Sequence, residues 1–319
     1  MSMYEAIKNL NKQFEYEPKV ENQERLKKFE KFVVVGMGGS HLAADIITAV
    51  NPDLDLLIHQ DYGLPSVQDD RLVIASSYSG NTEEVIDAYQ VAKEKKAPLA
   101  AVSVGGKLLD MAKNDNIPFV RIPNTGIQPR SAVGYMFRAP LKLMGREDDL
   151  SESRKLAGEL RSADYENEGR RLAEKIRNHV PIIYSSIRNE AIAKNWRVRF
   201  HETGKIPAYY NIFPELNHNE MNSFDVVDAT RPLSEKFYFI FLKDSEDHPR
   251  ILKRMEITGK LYQDRGLPVE VIELEGESRL HKIFSAISLA DWAAYYTAKH
   301  YGTDPEEVPM VEELKRLIA

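Results

Sequence analysis

The stretch "KFVVVGMGGS" (Lys31–Ser40) runs from an apolar segment directly into a glycine-rich turn. A short apolar run that is largely β-branched, such as Phe32–Val35, is typical of a strand buried on both faces. Gly38 and Gly39 let the backbone turn tightly and expose its N–H groups. Because a helix is predicted next, from 41 to about 50, the stretch predicts a strand, a turn suited to an anion, and a helix.

The same strand-and-helix pattern recurs along the chain. In the first half, further strands are predicted at 56–59, 72–77, 99–105 and 119–122, with helices at 82–96 and 131–144. In the second half, strands are predicted at 181–186, 237–244 and 268–274, with helices at 189–202, 248–265, 279–300 and 311–318. Apolar strands that alternate with helices of this length indicate parallel sheets covered by helices on both faces.

We therefore predict the α/β class, with two doubly wound parallel-sheet domains, each an α-β-α sandwich. A chain of 319 residues is long enough for two such domains. The predicted organisation is an N-terminal helical segment at 1–30, a first domain at 31–150 and a second domain at 151–319. The boundary is placed in the charged stretch "GREDDLSESRK" (Gly145–Lys155), which suits an exposed connection.

Composition narrows the function. A net charge of −6 argues against nucleic acid as the main partner, because binding to phosphate backbones needs a basic face. No window reaches the roughly 18 consecutive apolar residues of a membrane span, so we expect no membrane association and a cytoplasmic location. The absence of cysteine excludes disulfides and thiolate catalysis. The eight histidines show no tight ligand spacing, so no metal and no cofactor are predicted.

Two loops of the first half are rich in small polar residues. "GMGGS" contributes Gly39 and Ser40, and "SSYSGNT" (Ser76–Thr82) contributes Ser77, Ser79 and Thr82. In open parallel sheets, ligands sit beyond the carboxyl ends of the strands, where backbone N–H groups and helix starts attract anions. Either loop alone fits an ordinary turn with a Thr or Ser helix cap. The two together favour a phosphate site.

A dinucleotide-binding fold is the nearest competitor. Gly36 and Gly38 follow a strand, and Asp61 lies near the position expected for a ribose-binding acid. The third glycine of that fingerprint would fall at His41, a side chain that is large for a helix–sheet crossing. The Walker pattern is absent from the sequence. These departures make a nucleotide-dependent dehydrogenase the weaker alternative.

The second half contains the polar stretch "HETGKIPAYYNIFPELNHNE" (His201–Glu220). It places Glu202 at the end of a predicted helix and His218 in an asparagine-rich loop. A carboxylate and an imidazole that share a cavity can act as a base and an acid. The alternative is that both are ordinary surface residues, as most isolated charged side chains are.

Several motifs, in order, resemble one family: "GMGGS", "SYSGNT", "QPRSAVGY", "HETGKIPAY", "PELNHNE", "DHPR" and "VEELK". They are similar to those of the bifunctional phosphoglucose/phosphomannose isomerases, which belong to the phosphoglucose isomerase superfamily and are built from two sugar-isomerase (SIS) domains. The resemblance spans roughly residues 31–319. The combination of "HETGKIPA" and "FPELNHNE" is the specific part, whereas the first-half loops mark only the wider SIS group.

The resemblance implies a role for each candidate residue. It implies that the 6-phosphate is bound by Gly39, Ser40, Ser77, Ser79 and Thr82. Arg130 would stabilise the enediolate, and Glu202 would carry the proton between C1 and C2. His218 would assist ring opening from the neighbouring subunit of a homodimer, together with Lys315.

Two positions depart from the family pattern. His201 precedes the base where the family commonly has Asn, and Val308 stands where it often has Thr. The Thr lies near the C2 side of the sugar, so Val308 bears on whether both C2 epimers are accepted.

The resulting prediction is a metal-independent aldose–ketose isomerase. It would interconvert glucose 6-phosphate, and mannose 6-phosphate, with fructose 6-phosphate through a cis-enediol. The alternatives are another SIS-fold sugar-phosphate isomerase and a sugar-phosphate sensor without catalytic activity.

Overall fold

The structure is a computed structural model and describes residues 1–66 and 70–318. The chain divides into two compact units, Met1–Arg161 and Ser162–Ala319. This division lies after the boundary predicted at 150/151, because the helix that follows residue 146 packs within the first unit. In that helix Leu150 and Leu156 are buried, and the Leu150 carbonyl accepts a hydrogen bond from Arg138 Nη1 at 2.8 Å.

The first unit is built on one sheet of six strands. The strands are β1 (Val20–Glu21), β2 (Lys31–Val35), β3 (Asp55–His59), β4 (Arg71–Ser76), β5 (Leu99–Ser103) and β6 (Phe119–Arg121). Its helices are α1 (Met3–Lys8), α2 (Gly39–Val50), α3 (Glu83–Glu94), α4 (Gly106–Asn114), α5 (Val133–Leu143) and α6 (Glu147–Glu159).

The strand order of the first sheet is β1-β6-β5-β4-β2-β3, with all pairs parallel except β1 with β6. The apolar runs of β2 and β4 are almost completely buried, as expected for central strands covered on both faces. The chain winds one way from β2 to β3 and the other way from β4 to β5. The switch point of this doubly wound sheet therefore lies between β2 and β4.

The second unit repeats the scheme on a smaller sheet. The strands are β7 (Val180–Ser186), β8 (Tyr209–Phe213), β9 (Phe237–Lys243) and β10 (Val269–Glu273), in the order β10-β9-β7-β8 and all parallel. The helices are α7 (Glu166–Lys175), α8 (Glu190–Glu202), α9 (Arg231–Ser234), α10 (Pro249–Gln263), α11 (Arg279–Tyr301) and α12 (Pro309–Ile318). The equivalent switch point lies between β7 and β9.

The predicted α/β class is confirmed in both units. Every strand predicted at the sequence level is present, with ends that differ by one or two residues at most positions. Elements that were not predicted include the edge strands β1 and β8 and the helices α4, α7 and α9. The central helix α11 carries a nearly continuous buried surface, because Trp292, Phe284 and Ile287 are each completely covered.

Candidate active site

The two polar loops of the first unit lie at its switch point. The loop 36–40 leaves the carboxyl end of β2, and the loop 77–82 leaves the carboxyl end of the neighbouring strand β4. This is the place where open α/β sheets bind ligands. All five residues predicted to bind the phosphate, which are Gly39, Ser40, Ser77, Ser79 and Thr82, belong to these loops or to the first residues of α2.

Hydroxyl groups join the two loops. Ser40 Oγ accepts a hydrogen bond from the Tyr78 amide at 3.1 Å. Ser77 Oγ lies 2.7 Å from Thr82 Oγ1 and accepts from the Gly80 amide at 3.0 Å. Ser79 is exposed, and its Oγ accepts from the Asn81 amide at 3.2 Å. The loops are therefore pre-organised around their own hydroxyls, which lowers the entropic cost of ordering them around a ligand.

Thr82 corrects one expectation from the sequence. It occupies the N-cap position of α3, but its hydroxyl makes no capping hydrogen bond to the helix. The hydroxyl is paired with Ser77 instead. The first amides of α3 therefore receive no hydrogen-bond acceptor from the side chain of the N-cap residue. The positive end of the helix dipole is not offset by that oxygen.

Gly80 locks this loop to the next one. Its φ angle is +74°, and a Cβ atom at this position would lie 1.8 Å from the Gly105 carbonyl oxygen. Ser103 Oγ donates to the same carbonyl at 2.7 Å. Only glycine fits such a close backbone approach in the left-handed region, so the loop is a rigid support.

Arg130 lies in a 3₁₀ turn, Pro129–Ser131, directly before α5. The turn touches the phosphate loop, since a Cβ atom on Gly39 would lie 2.9 Å from the Pro129 carbonyl oxygen and 3.1 Å from Arg130 Cα. Arg130 is only 2% exposed. The structure thus brings together Arg130 and the predicted phosphate loops within the first unit.

Glu202 is the last residue of α8 and is half-buried. Behind it, Lys205 adopts a left-handed backbone conformation with φ +58°. Lys205 Nζ donates to the carbonyl oxygens of Glu202 and Glu307. The residue that departs from the family pattern, His201, has its Nε2 2.7 Å from the Ala208 carbonyl oxygen. The helix end that carries Glu202 is therefore fixed by the segment that follows it.

A buried ion pair stabilises the same helix one turn earlier. Arg199 is completely buried and donates through Nε to Asp291 Oδ1 of α11 at 3.0 Å. It also donates through Nη1 to Asn195 Oδ1 at 2.7 Å. A buried guanidinium with these partners fixes the rotation of α8 relative to α11, and with it the direction of the helix end.

His218 is exposed on a 3₁₀ turn, Glu215–His218, whose neighbouring residues are anchored. Leu216 is completely buried, and Asn217 Nδ2 donates to Thr258 Oγ1 at 2.9 Å. Glu220 accepts hydrogen bonds from the Tyr184 hydroxyl and from Asn211. Burial raises the pKa of the Tyr184 hydroxyl, which therefore remains a donor. The motif "PELNHNE" thus forms a rigid turn that presents an imidazole at its surface.

The C-terminal candidates lie in or next to α12. Lys315 is exposed and pairs with Glu312 at 2.7 Å within the helix. The Val308 carbonyl accepts the first amides of this helix, from Val311 at 3.0 Å and Glu312 at 3.1 Å. Glu202, His218 and Lys315 all belong to the second unit but stand on three different elements.

The switch point of the second sheet differs from that of the first. There, Asp244 follows β9, is completely buried, and accepts from Lys282 at 2.9 Å, Arg188 at 2.7 Å and Arg279 at 3.2 Å. We call the group of Arg188, Asp244, Glu246, Asp247, Arg279 and Lys282 the second-sheet ion cluster.

In this cluster the two buried carboxylates behave differently. Burial would raise the pKa of Asp244, but hydrogen bonds from Lys282 and from the Glu246 amide outweigh it and leave the pKa below its ordinary value. Burial raises the pKa of Asp247, which accepts from Ser186 Oγ at 2.6 Å. At the switch point of the second sheet, the protein's own carboxylates thus lie where the first sheet has its polar loops. No pattern in the sequence indicated this ion cluster.

In residues 1–66 and 70–318 no cluster of three or more His, Asp or Glu side chains has a geometry suited to a metal ion. Over the same residues, no helix is both long and apolar enough to cross a bilayer.

Comparisons with known proteins point to one family. Residues 165–318 match the family model described as bacterial phospho-glucose isomerase C-terminal SIS domain. The bifunctional phosphoglucose/phosphomannose isomerase of Caldicellulosiruptor bescii is 35% identical, with 100% of this chain and 98% of that protein covered. The protein of the same name from Thermoplasma volcanium is 36% identical, with 92% of each covered. Glucosamine-6-phosphate deaminase from Thermotoga maritima has a similar structure, with a TM-score of 0.70, 18% identity and 96% of each chain covered.

The fold and the family model define the class: a protein built from α/β domains of the SIS type. Identity above 30% over nearly the full length is more specific. The chain belongs to the family of bifunctional phosphoglucose/phosphomannose isomerases. The resemblance inferred from the motifs is confirmed.

Proposed function

We propose that this protein interconverts glucose 6-phosphate and mannose 6-phosphate with fructose 6-phosphate. The observation that carries the proposal is full-length membership in a family whose relatives are named for both activities. The geometry of the first unit supports it, because the two polar loops lie at the switch point and the Arg130 turn packs against the loop that contains Gly39.

The proposed roles follow from the chemistry of an aldose–ketose isomerisation. The loops with Gly39, Ser40, Ser77, Ser79 and Thr82 hold the 6-phosphate through hydroxyl and amide donors and the start of α3. Glu202 removes the proton from C2 of the open aldose and returns it to C1. Negative charge develops on the substrate oxygens in between, and the Arg130 guanidinium stabilises it.

Ring opening requires proton transfers at the ring oxygen and the anomeric hydroxyl. We assign these to His218 and Lys315. The exposed position of His218 on an anchored turn suits a residue that reaches another subunit. The proposal therefore includes a cytoplasmic homodimer in which each subunit supplies His218 to the site of its neighbour.

The test is isomerase activity of the purified protein in EDTA with each aldose phosphate as substrate. We expect fructose 6-phosphate from both, and Glu202→Gln reduces kcat by roughly 100- to 10,000-fold, as expected for the loss of a general base. The matched control is Glu190→Gln at the other end of α8, where the side chain accepts from the Tyr210 hydroxyl at 3.1 Å. The control retains wild-type kcat.

Two results would contradict the proposal. Binding of hexose 6-phosphates without turnover by the wild-type protein would favour a sensor. Turnover of other sugar phosphates with neither glucose nor mannose 6-phosphate as a substrate would favour another SIS-fold isomerase. Wild-type kcat in Glu202→Gln would overturn the assignment of the base.

A further inference from the structure

The N-terminal segment lies outside all the motifs that carry the proposed function, yet it packs tightly in the first unit. It consists of α1 and a 3₁₀ helix, Leu10–Glu15. Its apolar residues Ile7, Leu10 and Phe14 are each no more than 2% exposed. Burial of this kind shows that the segment is part of the folded core, not a tail.

Gln13 is the one polar residue of this segment with three hydrogen bonds to a distant loop. It is 4% exposed. Its Nε2 donates to the Ser131 carbonyl at 2.6 Å, and its Oε1 accepts from the amides of Gly134 at 2.9 Å and Tyr135 at 3.3 Å. A buried amide that uses both ends in this way is strongly oriented, because its loss leaves several buried backbone groups unpaired.

These partners are the beginning of α5. The N-cap residue of that helix is Ala132, whose side chain has no oxygen to accept the first amides. Gln13 performs this capping from a site 121 residues away along the chain. Gly134 makes room for it, since a Cβ atom there would lie 2.8 Å from Gln13 Cβ.

The backbone on each side of Arg130 is held by contacts with another part of the first unit. On one side Pro129 is in close contact with Gly39 of the phosphate loop. On the other side the Ser131 carbonyl accepts from Gln13, and Ser131 Oγ donates to Met3 Sδ at 3.3 Å. The turn that carries the guanidinium is therefore held by the phosphate loop and by the N-terminal segment.

From this arrangement we propose that Gln13 is a positioning residue for Arg130. The inference rests on the proposed function, because it concerns the stabilisation of charge on the reacting oxygens. Gln13 acts through the backbone of residues 131–135 and does not touch the substrate. Displacing a catalytic group by about 1 Å is enough to reduce the rate by about 100-fold.

The experiment compares Gln13→Met with wild type. Methionine has a similar length and none of the three hydrogen bonds, so the turn loses its support. We expect kcat for glucose 6-phosphate to fall roughly 10- to 100-fold. Inhibition by inorganic phosphate, which probes the loops around Ser77, should keep its constant within about twofold, because those loops are held by their own bonds. A purely structural defect would change both quantities.

The matched control is Asn11→Leu in the same 3₁₀ helix. Asn11 Nδ2 donates to the Ala157 carbonyl at 2.9 Å, away from the Arg130 turn. The control should retain wild-type kcat, although it also removes a hydrogen bond of the N-terminal segment. A fall in kcat of the same size in Asn11→Leu would overturn the proposal.

A milder variant covers the case in which Gln13→Met does not fold. Gln13→Glu keeps an acceptor for the two amides at the helix start, but it replaces the donor to the Ser131 carbonyl with an oxygen that repels it. Its kcat should fall below that of wild type, while the inhibition constant of inorganic phosphate stays within about twofold. Wild-type kcat in the folded variants overturns the inference alone. A wild-type protein without isomerase activity overturns the proposed function itself.

Discussion

At the scale of single residues, Ser77 and Thr82 belong to a proposed anion site whose loop contains no lysine or arginine. Their hydroxyls are bonded to each other at 2.7 Å, and Ser77 also accepts the Gly80 amide. A hydroxyl that is already oriented by a neighbour loses little entropy when it donates to a ligand. The helix start of α3 supplies the positive potential.

Removing the Thr82 hydroxyl tests this arrangement. Thr82→Val keeps the shape of the side chain but deletes one donor, and a hydrogen bond to a charged group is worth about 1.5 kcal/mol or more, which is roughly tenfold in affinity. We expect KM for glucose 6-phosphate and the inhibition constant of inorganic phosphate to rise together by about tenfold, with kcat unchanged.

The control for this variant is Thr48→Val in α2, where the hydroxyl donates to the Ala44 carbonyl at 3.3 Å within the same helix. It should leave KM unchanged. If phosphate inhibition of Thr82→Val equals that of wild type while the protein is folded, Thr82 does not bind the phosphate.

Local patterns placed the candidate site residues at the ends of strands and helices, but they did not reveal all of their hydrogen-bond partners. The glycine and hydroxyl residues follow strands directly, so Gly39 and Ser77 could be placed at a strand end from the sequence. The pattern "TEE" after Asn81 fits a helix cap equally well, and nothing local shows that Thr82 pairs with Ser77. Gln13 was missed because its partners lie more than a hundred residues away and its neighbours are an ordinary amphipathic segment.

At the scale of elements, the second-sheet ion cluster joins the ends of two strands to the starts of two helices. Asp244 follows β9, Arg188 precedes α8, and Arg279 and Lys282 belong to the first turn of α11. Removing the charge of a buried carboxylate that is surrounded by three cations strongly destabilises the fold, because the cations lose their partner.

Asp244→Asn is therefore expected to lower the free energy of unfolding by about 3 kcal/mol at pH 7. The lowered pKa of Asp244 means that its charge stabilises the native state above the ordinary carboxyl pKa, and that this contribution is lost as the pH falls through the lowered value. The difference between variant and wild type should accordingly shrink below pH ~4. Urea unfolding of both proteins at several pH values measures this difference in the free energy of unfolding.

Glu273→Gln is the matched control for this prediction. Glu273 pairs with Lys243 at 2.8 Å on the same sheet, but Glu273 is exposed and Lys243 is only half-buried. Exposed pairs contribute less than about 1 kcal/mol, so its effect should be small at every pH. An equally small effect of Asp244→Asn would show that the cluster does not stabilise the unit.

Two of the elements that were not predicted, β8 and α4, have a physical explanation as well. β8 is an edge strand whose first residue is exposed, and its sequence "YYNIF" lies inside a polar stretch that attracted a functional interpretation. α4 begins at Gly106, directly after Gly105, and a pair of glycines usually marks a turn or loop. In both cases tertiary contacts decided the outcome.

At the scale of the whole molecule, the proposed homodimer can be tested by mixing inactive variants. If each site takes Glu202 from one subunit and His218 from the other, a mixed dimer of Glu202→Gln with His218→Ala contains one intact site. Random exchange in an equal mixture should restore about a quarter of the wild-type activity. The activity is measured before and after subunits are unfolded together and refolded.

The control is each variant refolded alone, which should remain inactive. If the mixture stays as inactive as the separate variants, although mixed dimers are detected by mass, His218 acts in its own subunit. A monomer at working concentration would overturn the dimer itself.

The alternation of strands and helices was sufficient to predict two doubly wound sheets, since the parallel arrangement follows from local periodicity. The strand orders could not be predicted, because they depend on the direction of each crossover and on which strands pair, as β2 does with both β3 and β4. The extent of the first unit was also missed, because α6 is charged on its surface while Leu150 and Leu156 are buried.

The second-sheet ion cluster has a consequence for how the protein responds to its cellular environment. Asp244 is a side chain of the protein itself, so the cations of the cluster are paired with a carboxylate at any concentration of metabolites. The phosphate that we propose for the loops around Ser77 must instead come from outside the chain, and a bound ligand stabilises the folded state in proportion to the logarithm of its concentration relative to Kd. Under the proposed function, hexose phosphates should therefore add to the stability of the first unit, while the second-sheet ion cluster keeps its charged partners at every concentration of metabolites.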